Sequence, residues 1–124
     1  MTEHFIIIPG RAYSGWARSS GHYKANIRKI ADSRIAVPFV HERLYVRVDY
    51  FYHGKNRVDE DNVLKSICDG LEGVAYEDDS QIEHLDIRRY NIDLPFRIVE
   101  PTNDEIWDWV VKKVEFVAVT VRIM

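Results

Sequence analysis

"RLYVRVDYFYHGKNRVDEDNVLKSICDGLEGVAYEDDSQIEHLDIRRY", residues 43–90, changes its periodicity twice. From Arg43 to Tyr52, Leu44, Val46, Val48, Tyr50 and Tyr52 alternate onto one face, with Arg47 and Asp49 on the other. A period of two predicts a half-buried strand. "HGKNR" then turns the chain. Over 61–72, Val63, Leu64, Ile67, Cys68 and Leu71 recur at steps of three and four, which predicts an amphipathic helix stopped by Gly73. "QIEHLDIRRY" reads as the next strand.

Working outward, "HFIIIP" (4–9) reads as a short buried strand stopped by Pro9-Gly10. "GRAYSGWARSSGHY" (10–23), rich in Gly and Ser, reads as a loop. "YKANIRKIADS" (23–33) places Ala25, Ile27, Ile30 and Ala31 near one face of a short basic helix. Pro38, inside "AVPF", marks a connector. At the other end, the β-branched run "VEFVAVTVRIM" predicts a final strand. "TNDE" has the form of a capping box, with Thr102 and Glu105, and suggests a helical turn through Ile106–Val110; a strand through Trp107 and Trp109 is the competing reading. The order β-α-β-α-β-(α)-β, with no tight hairpin, predicts an α/β or α+β fold: one compact domain over 1–124, a mixed sheet and two main helices.

Composition sets outer bounds. A chain of 124 residues, 46% hydrophobic and 30% charged, has the balance of an ordinary soluble globular domain. No apolar run approaches the roughly 20 residues needed to span a bilayer, and no secretory leader pattern opens the chain. Cys68 is the sole cysteine, so no internal disulfide forms, which fits a reduced, cytoplasmic setting. The net charge of −3 is unevenly spread. Arg11, Arg18, Lys24, Arg28, Lys29 and Arg34 face only Glu3 and Asp32 in the first 34 residues, and the remainder carries 11 basic and 18 acidic side chains. A basic arm before an acidic body could set phosphate contacts beside a metal site; an uneven surface is the plainer alternative.

The acidic excess is concentrated. Nine carboxylates lie between Asp59 and Glu83, with Lys65 as the only lysine or arginine among them. In an extended approach to the helix, Asp59 and Asp61 would share a face. Asp61 can also cap the helix, and Lys65 follows one turn later. Asp78 and Asp79 come at the start of the next strand. Three carboxylates converging there would repel one another unless a cation neutralised them, and hard oxygen donors point to Mg²⁺ or Mn²⁺ rather than zinc. Such a site suits hydrolysis at phosphate. An Asp-rich, solvated helix cap is the bland reading of the same residues. A calcium loop is excluded, because "DEDNVLKSICDG" puts Val63 at a ligand position and Leu64 where the turn glycine belongs. The histidines at 4, 22, 41, 53 and 84 share no ligand spacing. His53 and Lys55 could reach DNA. Tyr13, Trp16 and Tyr23 could stack on bases or simply pack.

These residues carry a family resemblance. Asp-x-Asp-Asn-x-x-Lys from Asp59 to Lys65, an Asp and a Leu further along the helix, and Asp-Asp-x-Gln from Asp78 to Gln81 resemble the signature of RusA-type Holliday junction resolvases. These are small Mg²⁺-dependent endonucleases of bacteria and their phages. The resemblance implies that Asp59, Asp61 and Asp79 hold the metal and that Lys65 is a base-side or charge-stabilising lysine. It also implies that Asn62, Asp69, Asp78 and Gln81 orient this set. It further implies a homodimer that binds four-way DNA junctions and nicks two opposing strands symmetrically. On charge alone, Arg11, Arg18, Lys24, Arg28, Lys29, Lys55 and Arg57 are the candidate DNA contacts. Two other activities are compatible with the motif: a structure-selective nuclease on branched or flapped DNA, and a catalytically idle junction-binding module. The chain departs from the family in lacking the Ser-x-Asn element after the first strand, where it reads "PGRAYSGWARSSGHYK".

Overall fold

The computed structural model describes residues 3–13, 20–55 and 57–124. Its elements run β1 (Glu3–Pro9), α1 (Ser20–Arg34), β2 (Leu44–Tyr52), α2 (Glu60–Leu71), a one-turn 3₁₀ helix (Asp79–Gln81), β3 (Ile82–Asn91), α3 (Glu105–Val110) and β4 (Phe116–Ile123). The four strands form a mixed sheet in the order β1-β4-β2-β3. β4 runs antiparallel to both β1 and β2, and β2 and β3 are parallel. Parallel neighbours need a crossover, and α2 supplies it, so the 43–90 stretch is a β-α-β unit. The α/β (α+β) expectation of one compact domain holds, and the helical turn suggested through Ile106–Val110 is present as α3, in place of the competing strand.

β2 departs from its reading. It is buried over nearly its whole length rather than on one face. Leu44, Val46, Val48 and Tyr50 pack under α1 and α2 with Ile27, Ala31, Val63, Ile67 and Leu71. On the reverse face, Phe51 stacks between Tyr90 and Phe116 in a second core closed by Ile98 and Ile106. The segment after β3 and α3 make this cover, so Arg47 and Asp49 end up inside. Burying charge is costly unless it is paired, and here it is. The Arg47 guanidinium meets Asp49 at 3.1 Å and donates to the carbonyls of Val99 and Glu100, while Tyr90 Oη donates to Asp49 at 3.1 Å.

Three further readings need correction. α1 begins at Ser20, inside the segment read as a loop, and its buried stripe is Tyr23, Ile27 and Ala31, with Ala25 exposed. The Thr102–Glu105 capping box is not formed. Asn103 Oδ1 accepts from the Glu105 amide at 2.8 Å, and Thr102 instead bonds Thr120 Oγ1 on β4. Asp61 does not cap α2: Asp59 holds the N-cap position without a side-chain hydrogen bond to the helix, and Asp61 lies within the first turn. Because the helix starts at Glu60, the extended approach that would put Asp59 and Asp61 on one face is absent. Gly73, with φ of 87°, follows the helix end as expected.

α1 and α2 lie side by side, and the Gly70 backbone sits close against α1. A Cβ there would meet Ile27 Cγ2 at 2.8 Å and the Lys24 carbonyl at 3.3 Å. Glycine is what lets the two backbones approach, and this contact brings the basic helix against the acidic one.

Candidate active site

α2 and the start of β3 form the walls of a shallow cleft of about 360 Å³, lined by Asp61, Leu64, Lys65, Cys68, Asp69, Asp79 and Leu85. Asp61, Lys65 and Asp69 come from one helix at steps of four, so they project along a single face. Asp79 arrives from the 3₁₀ turn before β3. Asp59, at the N-cap, is exposed and does not line the cleft.

The Asp-Asp-x-Gln motif explains how Asp79 is aimed. Asp78 caps the 3₁₀ turn by accepting from the Ser80 amide at 3.0 Å, and the Gln81 side chain accepts from the Asp78 amide at 2.9 Å, which completes a reciprocal capping box. Gln81 also accepts from the Glu77 amide, and its NH₂ group donates to the carbonyls of Phe39 and Glu42. One amide thus fastens the turn to the 39–42 connector. Just beyond, the strand register shifts: Leu44 pairs with Ile82 but Tyr45 with His84, an extra residue at Glu83 that re-aims the strand start. Asp78, Ser80 and Glu83 then face a larger hollow of about 640 Å³ on the far side, and Asp79 faces the cleft.

Lys65 is not the lone cation that its segment suggests. Its ammonium meets Asp69 Oδ2 at 3.3 Å, and Lys24 from α1 meets the same oxygen at 3.1 Å. Arg28 donates to the Asp69 carbonyl at 3.3 Å. Partial burial pushes the Asp69 carboxyl up, but the hydrogen bonds from Lys24 and Lys65 outweigh it and hold the group below its ordinary range. Glu72 is shifted the other way, raised by desolvation and then by Asp79, Asp78 and Asp69. Burial drives the Cys68 thiol up to about 11. Glu60 binds Arg89 at 2.8 Å and Arg57 at 3.6 Å, and Glu83 binds Arg43 at 3.3 Å. Most of these cations come from other segments, so the acidic density of 59–83 is offset in space rather than along the chain.

Of the sequence-predicted set, the structure brings Asp61, Lys65, Asp69 and Asp79 together, with Asp78 and Gln81 holding Asp79 in place. Asn62 sits in the first turn of α2, its amide bonded to the Asp59 carbonyl at 3.0 Å. Among the described residues, no group of three or more His, Cys, Asp or Glu side chains is close enough to hold a metal ion. Lys24 and Arg28 border the cleft. Arg11, Lys29 and Lys55 are exposed, Arg57 is drawn to Glu60, and Arg18 and Trp16 lie outside the described residues. Tyr23 is core packing, edge-on to Tyr13 at 5.7 Å. His53 is bound to Asp93 at 2.8 Å. Sequence reasoning missed two contributors: Arg89, which anchors the α2 start to β3, and Ser66, whose hydroxyl donates to the Tyr13 carbonyl and ties the loop after β1 to α2. Neither carries a local signal, since each acts through a partner remote in sequence.

A family model described as Endodeoxyribonuclease RusA matches residues 15–100, a span that includes α1, β2, the cleft and β3. The chain belongs to the RusA family. It is accordingly a nuclease, a hydrolase acting on DNA. No curated protein shows a significant match to the chain. Among the described residues, no helix of this RusA-family protein is long and apolar enough to cross a membrane.

Proposed function

We propose that the protein is a homodimeric, Mg²⁺-dependent endodeoxyribonuclease that resolves four-way DNA junctions by paired, symmetric hydrolysis of phosphodiester bonds. The observation that carries this reading is the cleft lined by both Asp61 and Asp79 beside the Lys65–Asp69 pair. Carboxylate oxygens are the donors Mg²⁺ prefers. An ion that keeps several waters and is bound through one or two carboxylates plus substrate phosphate fits a cleft offering two. Asp61 and Asp79 would hold it, with Asp59 completing the set only if the α2 start shifts toward the cleft. Bound there, the ion would offset phosphate charge and make a water acidic enough to serve as nucleophile at neutral pH.

The chain's own residues do the rest. Asp69 keeps the Lys65 ammonium in the cleft, where it can stabilise negative charge developing on the phosphoryl or leaving oxygen. Asp78 and Gln81 hold the Asp79 backbone in a fixed turn, so its carboxylate needs no reorganisation when substrate arrives. Paired incision requires two such clefts, which a two-fold dimer provides.

The test is cleavage of a labelled four-way junction, a flapped duplex and a linear duplex, each with and without Mg²⁺. Symmetric paired nicks in the junction, dependent on Mg²⁺ and absent from linear duplex, are expected. Preferential cutting of the flap would favour a structure-selective nuclease. Junction binding without any cutting in Mg²⁺ or Mn²⁺ would overturn the catalytic reading.

A further inference from the structure

Strand alternation puts Leu85, Ile87 and Arg89 of β3 on the face of the sheet that carries α1 and α2. Leu85 pairs in register with Val46 of β2, yet Val46 is fully buried under the helices and Leu85 is 47% exposed. The helical cover therefore ends between β2 and β3, the outermost strand of the sheet. Ile82 and Ile87, on either side of Leu85 along the strand, pack against the main core, and Leu85 does not belong to it. A single exposed leucine is ordinary on a protein surface. This one lines the same cleft as Asp61 and Asp79, together with Leu64 and Cys68. The cleft thus joins an apolar strip to its carboxylates, and the strip has no part in the charge balance around Asp69.

We propose that Leu85, supported by Leu64, is a specificity-determining contact for the nucleotide next to the scissile phosphate. The inference rests on the functional reading above and specifies how its cleft selects a substrate. A phosphodiester held beside Asp61 and Asp79 carries its sugar and base into the same cleft, and these are the apolar parts of DNA. In a continuous duplex the base faces are stacked on one another and closed to a side chain. At a branch the stack is interrupted, and a base face is open to apolar contact. Apolar side chains, leucine among them, hold unstacked base steps in many DNA-binding proteins. Leu85 therefore favours branched over linear DNA by burying its own exposed surface, and it takes no part in bond breaking.

The experiment compares the full chain with its Leu85→Ala variant on a four-way junction and a linear duplex, without Mg²⁺ so that binding is separated from cutting. Burying about half of a leucine side chain is worth about three- to tenfold in affinity. Leu85→Ala should weaken junction binding by that factor and leave linear-duplex binding unchanged. No charge is altered, so the slope of log affinity against log salt should stay parental. 2-Aminopurine placed beside the branch should brighten when the parent binds, as the base unstacks, and brighten less with the variant. Leu85→Met, which keeps the apolar surface, should restore affinity and brightening. Leu94→Ala, at an exposed leucine in the turn after β3 and outside the cleft, should behave as the parent. If Leu85→Ala loses its melting transition, Leu85→Thr carries the same test, since a β-branched residue suits a strand. An equal loss on junction and linear duplex would overturn the inference. So would a change in sedimentation, because Leu85 would then cover a contact between subunits. A parent that cuts junctions while its folded Leu85 variants bind and select like it would defeat this inference alone. A parent that neither binds nor cuts them would defeat the functional reading and this inference with it.

Discussion

Gly70→Ala tests the contact that joins the two helices. In an exposed helix interior this change stabilises by about 1 kcal/mol, because alanine loses less backbone freedom on folding. Here the new methyl group would stand 2.8 Å from Ile27 Cγ2 and 3.0 Å from Ile27 Cβ, and real Cβ atoms essentially never sit closer than 3.0 Å to a neighbour. Ile27 is fully buried and β-branched, so its Cγ2 cannot swing aside, and the Lys24 carbonyl at 3.3 Å blocks the other escape. Relief must come from α1 sliding off α2 by several tenths of an ångström. Overpacking of this kind costs about 1–3 kcal/mol. Set against the propensity gain, the net destabilisation is about 0–2 kcal/mol, a fall in melting temperature of up to about 8 °C for a domain of this size. A double-mutant cycle sharpens the test. Ile27→Ala alone should cost about 2–5 kcal/mol. In the double variant the methyl group added at position 70 fills part of the vacated space, so the combined cost should fall short of the sum by about 1 kcal/mol or more. Urea unfolding of the four proteins measures this directly. If Gly70→Ala proved stabilising by the full propensity gain, and additive with Ile27→Ala, the helices would not meet at Gly70. The placement of Lys24 beside Asp69 would then lose its support.

Asp49→Ala should destabilise by about 3–5 kcal/mol in urea unfolding, since it strands the Arg47 guanidinium inside the second core; replacing both partners by apolar residues should cost far less. Cys68, with its thiol raised to about 11 by burial, should react with iodoacetamide at pH 8 far more slowly than a free cysteine until the protein is unfolded; rapid labelling of native protein would refute that burial. The Asp69 carboxyl is depressed below its ordinary 3.8, so its ion pairs contribute stability above that pH and lose it as pH falls through the folded-state value; Asp69→Asn should flatten the loss of stability below about pH 4 relative to the parent. Asp61→Asn keeps shape while removing one negative charge from the cleft. It should bind junction DNA as tightly as the parent or more so, most visibly at low salt, and fail to nick it in Mg²⁺; full cleavage would remove Asp61 from the catalytic set.

The fold was legible where one residue pattern dominated its own segment. The alternation of 43–52, the three-and-four spacing of 61–72 and the β-branched tail each mark an element the structure contains. What escaped were effects of remote cover. β2 reads as half-buried because Arg47 and Asp49 are charged, and only the arrival of the segment around Val99 and Glu100 makes burying them possible. The start of α3 escaped for a related reason: β4 draws Thr102 away through Thr120, and Asn103 accepts from the Glu105 amide instead. In the site, spacing along α2 gave Asp61, Lys65 and Asp69 one face, but the cations from α1 and β3 depend on tertiary packing that no local pattern encodes.

The division of labour among the carboxylates follows from that packing. A cluster of like charge in a folded protein is sustainable only if most of its members are neutralised, because each uncompensated acid raises the cost of its neighbours, as the upward shift of Glu72 illustrates. Glu60, Asp69 and Glu83 each meet lysine or arginine, and Asp78 spends its charge on a backbone amide. Every one of these commitments also fixes a piece of backbone: the α2 start on β3, α2 on α1, and the 3₁₀ turn on itself. The acids that stabilise the scaffold are thereby distinguished from Asp61 and Asp79, which line the cleft. The field those two create is repulsive to phosphate by itself, so a cation in the same cleft, such as Lys65, is a physical requirement of any activity on DNA at this site, and its contribution should grow as salt is lowered.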